Sequence, residues 1–186
     1  MGTYNRVLRL ARPGGADAYL EIIAIDPAAV DPGHARWFDM DDPVLAAAVN
    51  EAPRLVHFVA STIDIVGAAQ SLASLGIDRG EALAAQRETP NGMLRWRITV
   101  RNDGQRLLYG LLPALIQWEG AHPSTSMPDS GIELRSMHAH HPRPADLGAA
   151  YDAIGLRDVE VCAGPPNLVA QLQTPRGAVT LESRGA

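Results

Sequence analysis

The chain contains no lysine: its sixteen cationic residues are all arginine, set against twenty-one acids, for a formal charge of −5 over 186 residues. That absence excludes a Schiff-base lysine, a pyridoxal-phosphate lysine and the lysine of a phosphate-binding loop. The arginines are scattered among acids rather than gathered into a stripe, which speaks against nucleic acid and anionic membranes as partners. A single cysteine, Cys162, excludes an internal disulfide and a multi-thiolate zinc site. Nothing then calls for an oxidising compartment, and the cytoplasm is the expected location. Aromatic residues are scarce at 5%, and the longest apolar stretch, Leu107 to Trp118, is short and interrupted by Pro113. No membrane span is expected from it, and the residues after Met1 lack the apolar core of a signal peptide. With 46% hydrophobic residues, one soluble domain or two small ones are expected.

Three hairpin-like strand pairs are present in the pattern. The first is Val7 to Ala11 and Tyr19 to Ile25 around the turn Pro13-Gly14-Gly15. Leu94 to Val100 and Ala114 to Glu119 make the second, Leu168 to Gln173 and Val179 to Glu182 the third. Each of the last two follows a longer unit. Leu55 to Val59 reads as a strand, Asp64 to Leu75 as a helix ending at Gly76, and Ala82 to Gln86 as a short strand. Ile132 to His141 is again a strand, Pro144 opens a helix that Gly155 ends, and Val159 to Ala163 is a short strand. The expected fold is α+β, with repeated βαβββ modules forming curved, partly closed mixed sheets around a cup. Residues 1–26 supply the last two strands of an incomplete first module, 27–52 a connecting surface loop anchored by an aromatic residue, 53–120 the second module and 131–184 the third. The incomplete module predicts an exposed edge, for which two explanations are open: Met1 is an internal methionine of a longer protein, the favoured one, with a homodimer as its consequence, or a second copy of the chain alone covers the gap.

Strand alternation places Glu21, His57 and Gln117 in the middle of apolar strands, where burial without a partner costs a few kcal/mol. A shared divalent ion (Zn, Fe, Mn or Ni) would supply a partner, and so would ordinary hydrogen bonds in the core. Arg95 and Arg97 share a strand face, with Trp96 opposite, and suit an anionic group on a ligand or paired surface charges. His138 and His140 also share a face, a spacing open to metal but read here as a solvated strand end before Pro142. Cys162 reads as apolar filling. No residue stands out as catalytic.

The segments Gly2 to Arg6, Tyr19 to Ile23, Ala35 to Phe38, Arg54 to Ala60, Leu94 to Thr99, Leu115 to Glu119 and His122-Pro123 together resemble the glyoxalase-like branch of the vicinal oxygen chelate superfamily. The resemblance implies βαβββ modules around a divalent metal, with Glu21 and His57 at ligand positions and Gln117 where the family commonly has a glutamate. An amide accepts no proton near neutral pH, so lactoylglutathione lyase chemistry is not expected. Two functions follow. One is a metal-dependent enzyme of lyase, isomerase or dioxygenase type acting on a small oxygenated substrate. The other is a metal-free small-molecule binding module of the bleomycin-resistance type. In either, Arg95, Arg97, Trp96 and Trp118 are the expected ligand contacts.

Overall fold

A computed structural model describes residues 2–14, 18–89 and 92–185, so Met1 and Gly15 of the first expected turn lie outside the described residues. The chain opens with β1 (Thr3–Leu10) and β2 (Ala18–Ile25), paired antiparallel with Val7 opposite Glu21. This hairpin leaves Tyr4, Leu8 and Ile22 exposed. Its end is tied to the second half of the chain, because Ala11 N donates to Ile132 O at 2.9 Å and Ala11 O accepts from Leu134 N at 2.9 Å.

The connecting segment is not the plain loop expected. Asp42 accepts from Val44 N at 2.8 Å and Pro43 occupies the first turn, which together start the helix α1 (Pro43–Glu51). Before it, a single 3-10 turn over Trp37–Asp39 carries Phe38 and Asp39 at φ 65° and 56°. That strap lies so close to the next hairpin's turn that a Cβ on Gly104 would sit 2.2 Å from Arg36 O, so only glycine fits there.

The middle of the chain contains β3 (Val59–Ser61), α2 (Ile65–Ser74), β4 (Glu81–Thr89), β5 (Gly92–Val100) and β6 (Ala114–Glu119). Their sheet order is β3-β6-β5-β4, with β3 parallel to β6. The strand expected over Leu55 to Val59 begins only at Val59. Residues before it leave the sheet because their polar groups bond elsewhere: Leu55 N to Glu182 O at 3.0 Å and the His57 ring to Gly110 and Ala114. Helix α2 starts where Asp64 accepts from Gly67 N at 2.9 Å.

The last part repeats the element order with β7 (Glu133–His141), α3 (Pro144–Ala153), β8 (Glu160–Ala163), β9 (Asn167–Thr174) and β10 (Gly177–Glu182). Its strand order, β10-β9-β7-β8, differs from that of the first run. The architecture is α+β with several mixed sheets. Helices α2 and α3 share one core through Ile65, Leu72, Leu147 and Tyr151, packed on Leu115, Ala139 and Leu168. Tyr151 Oη donates to Leu111 O at 2.6 Å, linking α3 to the approach to β6. A second cluster, Ile98, Val100, Ala114 and Ile116, lies under Trp37, Phe38, Trp96 and Trp118. Among the described residues no helix is long and apolar enough to cross a membrane.

Candidate functional site

The pairing of β5 with β6 sorts the expected site residues onto two faces. Trp96 stands opposite Trp118, whereas Arg97 stands opposite Gln117 and Arg95 opposite Glu119. Since side chains alternate along a strand, the tryptophans lie on one face and both arginines with Gln117 on the other. The ligand set of Arg95, Arg97, Trp96 and Trp118 is therefore not assembled on a single surface. Arg97 instead lines an open groove of about 630 Å³ against α2, with Val66, Gln70 and Arg79.

On the tryptophan face four rings form a row. Trp96 and Trp118 lie 5.5 Å apart, Trp118 and His122 5.8 Å, and His122 and Tyr19 of β2 5.7 Å. The Trp118 Nε1 is buried and has no hydrogen-bond partner among the described residues. An unspent indole N–H of this kind costs stability unless something accepts from it. Burial pushes the Tyr19 phenol up to about 12, helped by the Glu21 carboxylate and opposed by the Arg87 guanidinium. Arg87 lies opposite Leu94 in the β4–β5 register, which puts it on the tryptophan face too. Arg87 thus brings a guanidinium to this row, one that neither spacing nor motif singled out.

Glu21, His57 and Gln117 are each committed elsewhere. Gln117 Oε1 accepts from Ile65 N at 3.0 Å, at the start of α2. Glu21 is exposed and accepts from Asn5 Nδ2. His57 Nε2 accepts from Ala114 N at 3.1 Å, which puts the ring proton on Nδ1, donated to Gly110 O at 3.0 Å. Burial lowers the imidazole pKa to about 3, with the Arg79 and Arg106 cations adding to the effect against the Gly110 bond. Both ring nitrogens serve the backbone and the amide caps a helix, so these residues do not fit an ion held jointly among them.

A different set does converge. The ligand atoms of His138, Glu160 and Cys162 lie within 4.8 Å of one another. The available signal was a His-x-His spacing in one strand and a Glu-x-Cys spacing in another, and only their pairing in register joins the two.

The curated proteins and the solved structures contain no match to this chain. The family description of a glyoxalase-like domain matches residues 1–155, from before β1 to the end of α3. The chain therefore belongs to the glyoxalase-like domain family, in keeping with the vicinal oxygen chelate superfamily.

Proposed function

We propose that this chain is a glyoxalase-like protein that binds a small planar, anionic organic molecule on the tryptophan face, without an ion held by Glu21, His57 and Gln117. The observation that carries the reading is the ring row Trp96, Trp118, His122 and Tyr19 with a buried, unspent Trp118 N–H in its middle. Aromatic walls with one or two placed polar groups are the usual lining of a small-molecule site. Stacking on the indoles supplies contact area, Trp118 Nε1 donates to a ligand oxygen, and Arg87 holds an anionic group. In this reading the sheet faces turned away from α2 and α3 line a shared cup. The bond from Leu55 N to Glu182 O, which joins the two runs, supports that arrangement.

The test is quenching of tryptophan fluorescence by a panel of hydroxylated aromatic carboxylates. Trp118→Ala and Arg87→Leu are each expected to weaken the best binder about tenfold, the scale of one charged or indole hydrogen bond. Arg97→Leu, on the far face, should leave the affinity unchanged. Equal affinity in all of these proteins would remove the tryptophan face from consideration. A metal-dependent lyase, isomerase or dioxygenase is the second reading, favoured by family membership and by the exposed carboxylate of Glu21 beside Tyr19. Metal content that falls in Glu21→Ala would support it.

A further inference from the structure

The second sheet carries a convergence of donors that the ligand reading above does not use. Strands β7 and β8 run parallel with His138 opposite Glu160 and His140 opposite Cys162, so all four side chains lie on one face. That face is turned away from α3, because the alternate residue Ala139 is fully buried in the core that α3 packs against. The side chains of His138 and Glu160 are 27% and 68% exposed, which leaves them open to an ion from solvent.

The geometry is close to that of a metal site before loading. His138 Nδ1 lies 3.1 Å from Glu160 Oε2. The three donor atoms fall within 4.8 Å of one another, against about 3.3–3.8 Å between donors on a tetrahedral zinc with bonds of about 2.0–2.3 Å. A rotation of the exposed Glu160 side chain and the half-buried His138 ring that shifts their donor atoms by about an ångström closes that gap. His138 Nε2 lies 3.0 Å from Ser136 Oγ, so its proton has a partner while Nδ1 faces the other donors. A ligand histidine whose second nitrogen is held in this way has its tautomer and ring plane set in advance.

The donor types decide the ion. A thiolate with an imidazole and one carboxylate suits a borderline-soft divalent ion and not the oxygen-seeking Mg²⁺ or Ca²⁺. We propose that His138, Glu160 and Cys162 bind one zinc-type divalent ion, leaving the fourth tetrahedral position open. Glu160 and Cys162 lie beyond the residues that the glyoxalase-like family description matches. Two of the three donors therefore lie outside the matched segment, while His138 of β7 lies within it.

The experiment is a Co²⁺ titration of protein first treated with a chelator and dialysed. Thiolate ligation produces a sulfur-to-cobalt charge-transfer band in the near ultraviolet, saturating at one ion per chain and displaced by Zn²⁺. Cys162→Ser abolishes the band. His138→Gln and Glu160→Gln, chosen to keep hydrogen-bonding side chains on an open strand face, weaken Co²⁺ binding at least about tenfold, while His140→Ala leaves it within about twofold. A readout that needs no variant is alkylation of Cys162: bound Zn²⁺ should protect the thiol, and alkylation undiminished by Zn²⁺ overturns the proposal. So does the lack of a band at saturating Co²⁺, or a midpoint unmoved in His138→Gln and Glu160→Gln. The titration does not report on the tryptophan face, so its failure is separable from failure of the ligand reading.

Discussion

The two strand-helix-strand-strand-strand runs have the same element order and opposite wiring. In the first, the short β3 is an edge strand that pairs with the last strand of its run. In the second, the nine-residue β7 is central and pairs with the second and third strands of its run. This difference decides which side chains meet. Where first and second strands are neighbours, His138 faces Glu160; where they stand at opposite edges, β3 and β4 share no pair. The first run instead assembles its aromatic surface from β5 and β6.

The two runs also use histidine differently. His57 spends both ring nitrogens on backbone groups, whereas His138 keeps Nδ1 turned to a carboxylate. The largest expected effect breaks that contrast directly. His57→Ala leaves Gly110 O and Ala114 N unpaired and should lower stability in urea by about 2–4 kcal/mol. His138→Ala, on an open face, should cost roughly 0.5 kcal/mol or less. Equal losses would mean that the first-run histidine is no more structural than the second.

A second effect is carried by pH. An imidazole held neutral until about pH 3 binds fewer protons folded than unfolded between that value and its ordinary pKa near 6.5. Its contribution is therefore fully present above about pH 6.5 and is lost as pH falls toward 3. Urea midpoints measured across this window should fall with acid, and more steeply in the wild type than in His57→Gln. Parallel profiles would show that His57 does not titrate in this way.

The smallest effect concerns Gln117, the residue at the family's glutamate position. Gln117→Ala removes a partner from Ile65 N and should cost about 1 kcal/mol, the scale of a helix cap. Any bound Co²⁺ should be unaffected. Loss of the ion in this variant would return Gln117 to a ligand role.

Much of the local structure is legible in the amino-acid sequence. Asp64 and Gly76 mark the ends of α2, Pro144 and Gly155 those of α3, and apolar alternation marks the strands of all three expected pairs. The family was legible as well, since its segments lie in order along the chain. Helix α1 was not, although Asp42-Pro43 is a start signal, because the alanine-rich stretch behind it has little apolar periodicity. The candidate sites were legible only in part. Trp96 and Trp118 were named, His138 was read as a solvated strand end and Cys162 as apolar filling, while Arg87, Glu160 and the meeting of His138, Glu160 and Cys162 were not foreseen.

Caps, turns and alternation are set by residues within a few positions of one another, and these the amino-acid sequence determined by itself. Strand order depends instead on how α2 and α3 pack into a common core, a balance of burial summed over the whole chain. Only the tertiary structure decided that β8 lies beside β7, that His57 and Gln117 serve the backbone, and that Arg87 joins Trp96 and Trp118 on one face of the sheet.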